Sequence, residues 1–178
     1  MHDRIMAPSH SGQLDDSSNP GVPQTLRAIF ERRLGSDGLT EALALLNQRT
    51  RFRFTGLYRI APPQLYNVSL YDRENPSLNV SGAVRLLVDA LCSVVYESGH
   101  AFRVDDAPAD SRLWTHPARA SVQSYAGVPV RLPGGRVLGT LCHFDDRPRI
   151  MPTGELAVLQ AIAPLLLPWL AVETATPE

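Results

Sequence analysis

The chain contains no lysine; each of its seventeen basic residues is an arginine. That absence removes Schiff-base catalysis and the phosphate-binding lysine of a P-loop. Charge is modest, at 20% of 178 residues, and nets to −1. No basic field exists to attract nucleic acid or an anionic membrane, and neither is expected as a partner. Cysteine occurs only at Cys92 and Cys142, too few for a disulfide framework. No secretory signal opens the sequence, so the cytoplasm is the expected compartment, and the N-x-S matches at Asn67 and Asn79 are chance. One long apolar run exists, LAVLQAIAPLLLPWLAV (156–172). It is short for a spanning helix and contains Pro164 and Pro168, so it reads as a buried or dimer-forming helix.

A hydrophobic fraction of 44% suits a globular protein of one domain. Residues 1–21 mix Ser, Asp, Pro and Gly without periodicity and read as a disordered tail, and 173–178 as a short terminal tail. Residues 22–172 form the expected domain. Leu26, Ile29, Phe30 and Leu34 predict one helix, and Leu39, Leu43 and Leu46 a second. Phe52 and Phe54 alternate with Arg51 and Arg53 in a predicted strand over 51–60, with 65–72 as its antiparallel partner. A helix is expected over 80–99, stopped by Gly99, then a short strand near 102. Residues 107–123 read as a loop with short helical pieces. SYAGVPVRL and RVLGTLCHFD form a hairpin through Pro133-Gly134-Gly135. Thr153 is the expected cap of a last helix reaching about Val172. This order predicts an α+β fold, a central antiparallel sheet of five to six strands with helices packed on it.

GTLCHFDD (139–146) gathers a cysteine, a histidine and two aspartates. Strand geometry splits them: Cys142 shares a face with Thr140 and Phe144, and His143 with Leu141 and Asp145. An adjacent cysteine–histidine pair on a strand cannot act as nucleophile and base. Both cysteines are expected as small buried hydrophobes. His2, His10, His100 and His116 show no zinc-ligand spacing, and no metal site is expected.

DDAPADSRLWTHPARASVQSYAGVPVRLPGGRVLGTLCHFDDRPR (105–149) resembles the GAF domain family. The resemblance rests on Asp106, Ala107, Asp110 and Arg112, then His116-Pro117, Tyr125-x-Gly127-Val128-Pro129, and Gly139-Thr140-Leu141-Cys142 followed by Asp145, Arg147, Pro148 and Arg149. It implies terminal helices on one sheet face and a ligand pocket on the other. It further implies a non-enzymatic regulatory sensor of an unidentified small molecule; with no output segment read in the sequence, either an output protein in trans or association with a partner as the output itself is expected. Homodimerisation through the terminal helices is expected. Two alternatives stand beside this: a thiol-dependent enzyme of the free methionine sulfoxide reductase type, and a protein-interaction adaptor with no ligand. The lysine-containing cyclic-nucleotide signature is absent. No cysteine follows His116 where related photoreceptors attach a bilin, so no covalent cofactor is expected. The expected pocket residues are Phe102, Asp106, Trp114, His116, Tyr125, His143 and Asp145, and no catalytic residue is expected.

Overall fold

The computed structural model describes residues 24–171; the tails expected at 1–21 and 173–178 lie outside the described residues. Helix α1 (Gln24–Ser36) buries Phe30 and Leu34, and α2 (Leu39–Asn47) buries Leu43 and Leu46. Strands β1 (Phe54–Ala61) and β2 (Gln64–Asp72) form an antiparallel hairpin. A three-residue strand β3 (Val84–Leu86), helix α3 (Cys92–Ser98) and strand β4 (Phe102–Val104) follow. Strands β5 (Ser124–Arg131) and β6 (Val137–Asp145) form the second hairpin, and α4 (Glu155–Ile162) leads to α5 (Leu167–Ala171).

All six strands make one antiparallel sheet in the order β3-β2-β1-β6-β5-β4. The α+β expectation holds. One face carries Leu57, Val128, Val130 and Leu141, covered by Phe30, Leu43, Leu46, Leu159, Ile162 and Leu166 from the terminal helices. Each such side chain contributes about 1.5–3 kcal/mol when fully buried. The other face carries Tyr58, Tyr125 and Cys142 beneath Leu91, Val95, Leu113 and Ala118. No helix among the described residues is long and apolar enough to cross a membrane.

Three local expectations are corrected. Residues 80–99 are not one helix: Val84 and Leu86 pair with Tyr66 and Gln64, a single 3-10 turn spans Leu87–Asp89, and only Cys92–Ser98 is α-helical. Sheet pairing outweighs helical periodicity in this β-branched stretch, while the stop at Gly99, with φ 69°, is as expected. Phe52 and Phe54 do not share a face, because the strand begins only at Phe54. Phe52 stacks on His143 beneath the helices, and Phe54 on Phe144 across the sheet. The last helix is capped by Gly154 without a side-chain hydrogen bond, not by Thr153, and a 3-10 turn at Ala163–Leu166, opened by Pro164, interrupts it.

Gly139 sets how closely this helix approaches. A Cβ there would overlap the Tyr58 carbonyl oxygen and come within 2.7 Å of Leu170 Cδ1. Gly139→Ala therefore forces the central strands and α5 apart. We expect it to cost about 3 kcal/mol, read as a lower urea midpoint with unchanged slope; an unchanged midpoint would contradict this packing.

Candidate functional site

β6 lies at the centre of the sheet, so its alternation decides what each face contains. Thr140, Cys142 and Phe144 point to the α3 side, whereas Leu141, His143 and Asp145 point toward the terminal helices. The separation of Cys142 from His143 is as geometry predicts. The pocket, however, lies on the cysteine face.

A cavity of about 40 Å³ lies between the sheet and the segment 85–92. Its floor is Tyr58, Tyr125, Cys142 and Phe144; Ala90, Leu91 and Cys92 form its roof, and the exposed Arg85, Asp89 and Ser121 its rim. A second chamber of about 220 Å³ shares Tyr58, Leu65, Arg85 and Phe144 and extends under Val80 and Ala83. Asn67 lines it and is 6% exposed, and its Oδ1 has no hydrogen-bond partner among the described residues. Two glycines make room for the tyrosines. A Cβ on Gly56 would strike the Tyr58 ring, and one on Gly127 would strike the Tyr125 phenol.

The two thiols meet in the smaller cavity. Thr140 Oγ1 donates to Cys92 Sγ at 3.1 Å, and the Tyr125 hydroxyl donates to it at 3.6 Å. The neighbouring Cys142 thiol, helped by these hydroxyls and by the Arg85 charge, brings the Cys92 thiol down to about 7 against the opposing effect of burial. Burial, with the neighbouring Cys92, pushes the Cys142 thiol well up. Burial likewise raises both tyrosines, which stay protonated, and the Tyr125 hydroxyl is the one that donates to a thiol.

Of the expected pocket residues, only Tyr125 lines this cavity. Phe102 packs behind it, with ring centroids 6.3 Å apart, and holds the Arg112 guanidinium over its own ring. Asp106 accepts from Ala109 N at 3.3 Å and caps a 3-10 turn outside the cavity. Trp114 is 66% exposed. His116 accepts from Ala118 N at Nδ1, so its Nε2 is the donor to Ser93 Oγ at 3.0 Å and clamps the 117–120 turn to α3.

His143 and Asp145 are corrections: both lie on the helix-covered face, away from either chamber. Asp145 Oδ2 accepts from Arg53 N and Arg149 Nε, at 2.9 and 2.8 Å, and its Oδ1 from Arg147 N at 3.0 Å. Burial opposes ionisation, but these donors hold its carboxyl below the ordinary aspartate value. Arg149 is thus tied to the strand exit. His143 is fully buried in a directed chain. Asn47 Nδ2 donates to Thr55 Oγ1 at 2.9 Å, which leaves the threonine proton for His143 Nδ1 at 2.7 Å. The remaining proton on Nε2 faces Glu155 Oε1 at 3.6 Å, too far for a normal hydrogen bond. Glu155 is held by Arg49 Nε at 3.0 Å.

Sequence reasoning missed Tyr58, Asn67, Arg85 and Phe144 and placed both cysteines in packing. One usable signal existed: Gly56-x-Tyr58 and Tyr125-x-Gly127 each put a glycine and a tyrosine on the same strand face.

The comparisons now bear on this arrangement. A GAF domain family model matches residues 24–167. The chain belongs to the GAF domain family. No match is found among curated proteins. Among solved structures, the GAF domain of an Acinetobacter phosphoenolpyruvate-protein phosphotransferase is similar at a TM-score of 0.66 and 17% identity, covering 86% of this chain and 96% of that one. Free methionine-R-sulfoxide reductase from Neisseria meningitidis, in complex with its substrate, is similar at 0.63 and 14%, covering 83% and 87%. The type II enzyme from Thermoplasma acidophilum gives 0.58 and 19%, covering 82% and 94%. At these identities the likeness shows the GAF fold alone.

Burial depresses the His143 pKa below 6.5, with Glu155 partly opposing. The unfolded chain then takes up the proton more readily, so stability is lost as pH falls through about 6.5 toward the lower folded value. We expect the urea midpoint to fall between about pH 7 and pH 5, and less steeply in His143→Gln. Equal slopes in the two proteins would remove His143 as a cause.

Proposed function

We propose that this GAF domain is a non-enzymatic sensor that binds a small polar molecule on the α3 side of its sheet and acts in signal transduction. The observation that carries this reading is the pair of adjoining chambers with unspent polar groups. Asn67 Oδ1 is buried without a partner among the described residues, which costs about 1–3 kcal/mol and is relieved by a ligand donor. Arg85 and Asp89 at the rim supply opposite charges, and the Tyr58 and Phe144 rings supply apolar surface. The reading includes a cytoplasmic homodimer formed through the terminal helices, where Ile29 of α1 is 42% exposed. Its output passes to a partner in trans.

A second reading, a thiol-dependent reductase, is favoured by one observation. Sulfoxide reduction by thiols needs an attacking and a resolving cysteine, and here both border the same cavity. Some of the similar structures are sulfoxide reductases, whose fold this chain shares. The cavity between the thiols, about 40 Å³, holds only one to a few water-sized guests, too few for a sulfoxide substrate. The sensor reading also uses the adjoining chamber of about 220 Å³, which neither thiol lines.

Thermal-shift screening of the full chain with small polar metabolites tests the sensor. A true ligand at about a hundred times its Kd should add about 2.7 kcal/mol of stability. Ala90→Phe, which fills the roof, should abolish the shift while the protein remains folded. A shift that survives this substitution moves the site elsewhere. Turnover of free methionine sulfoxide with a dithiol reductant, lost in Cys92→Ser, would replace the sensor with the enzyme.

A further inference from the structure

We propose that Cys92 and Cys142 form a peroxide-sensitive dithiol that closes to a disulfide inside the smaller cavity and locks its roof to its floor. This goes beyond ligand sensing and is independent of it.

Two thiols facing each other across a cavity is the first observation. Cys92 opens α3 in the roof, and Cys142 sits on the central strand of the floor, both lining the same cavity. They are free cysteines from segments fifty residues apart in sequence, brought together by the fold alone. The hydrogen bonding is the second. Cys92 Sγ accepts from two hydroxyls, Thr140 Oγ1 at 3.1 Å and the Tyr125 hydroxyl at 3.6 Å. Two donors converging on one sulfur stabilise negative charge there, whereas a cysteine that serves only as packing needs none. Cys142 has no such set; its Sγ donates to the Gly56 carbonyl at 3.8 Å. The two sulfurs are thus differentiated into an attacking thiolate and a resolving thiol. Access is the third. The rim residues Arg85, Asp89 and Ser121 are exposed, so the cavity reaches solvent. Its 40 Å³ admits a molecule of two heavy atoms but not a bulky oxidant.

The chemistry balances with hydrogen peroxide as the oxidant. The Cys92 thiolate sulfur attacks one peroxide oxygen, the O–O bond breaks, and the departing hydroxide takes up the proton that Cys92 released. Cys92 becomes a sulfenic acid and one water leaves. The Cys142 sulfur then attacks the Cys92 sulfur, the S–O bond breaks, and the hydroxyl departs as a second water with the Cys142 proton. Two thiols and one peroxide yield a disulfide and two waters. A dithiol reductant reverses the product by thiol–disulfide exchange. Closure draws the two sulfurs to a bond of about 2.05 Å, ties α3 to β6 and removes the hydroxyl hydrogen bonds that Cys92 accepts.

The reduced full chain is treated with one equivalent of hydrogen peroxide, then denatured in an alkylating agent and weighed intact. We expect both thiols to vanish together, the mass to fall by two hydrogens, and dithiothreitol to restore both. Cys142→Ser should stop at a sulfenic acid on Cys92 that dimedone captures. Cys92→Ser should lose its remaining thiol at least about tenfold more slowly than the wild type loses its pair. Should either serine variant fail to fold, a Cys92–Cys142 crosslinked peptide from oxidised wild type carries the same decision. Two alkylatable thiols after excess peroxide, a disulfide formed only between molecules, or Cys92→Ser oxidising at the wild-type rate would each overturn the proposal.

Discussion

The alternation of β6 is the constraint on which the rest of the molecule depends. As a central strand with partners on both sides, it cannot slip by one residue without exchanging the contents of the two faces. Leu141 and His143 are committed to the helices, Thr140, Cys142 and Phe144 to the chambers. The two faces are then stabilised by different physics. The helix face is closely packed, with Leu57, Val128 and Leu141 fully buried. Its polar groups lie in a chain with fixed proton directions from Asn47 through Thr55 to His143. The chamber face is looser and is assembled around weak thiol donors, tyrosine hydroxyls and an unpartnered amide oxygen.

The polar groups on the helix face explain how the terminal helices keep their place without much capping. Glu155, the first residue of α4, is nearly fully buried, and α4 has no side-chain cap. Arg49, just beyond α2, meets that carboxylate, while Asn47 receives Arg73 Nε at Oδ1 and binds the Phe52 carbonyl through Nδ2. The end of α2, the entry to β1 and the start of α4 are therefore tied at one point. Buried polar contacts of this kind contribute little net stability, because desolvation offsets them, but they tolerate few alternative arrangements.

Much of the fold could be read in advance, because its strongest signals are local. The hairpin through Gly134-Gly135, the alternation of β5 and β6, and the apolar stripes of α1 and α2 all express backbone periodicity. The edge strand β3 could not be read this way. Val84 and Leu86 become a strand only because β2 offers a free edge, and that is a tertiary fact. The site failed for a related reason. Alternation correctly divides Cys142 from His143, but it does not say which face the helices will cover. Assigning the polar residues to the pocket followed the expectation that ligands meet histidine and aspartate. In the structure those groups bind the protein's own backbone and side chains, and the pocket has tyrosines and thiols. Trp114 shows the complementary failure: an aromatic residue in a pocket-forming segment that the chain leaves facing outward.

A molecule larger than the 40 Å³ cavity must displace something, and the structure determines what gives way. The floor consists of β1, β6 and β5, hydrogen-bonded to one another along their lengths. The roof is a 3-10 turn and a seven-residue helix, held by isolated bonds such as His116 to Ser93. Segments with few backbone bonds open at lower free energy than central strands, so the roof yields first. The wall between the two chambers consists of the Tyr58 and Phe144 side chains, which can change rotamer without breaking the sheet. Tyr58 touches both halves of the molecule, since its ring borders the chambers while its carbonyl oxygen borders the gap at Gly139 where Leu170 of α5 packs. A displacement of the Tyr58 backbone on ligand entry therefore reaches the narrow gap at Gly139 against which Leu170 packs, which makes the β1–β6 pairing at Tyr58 a physical connection from the chambers to the terminal helices.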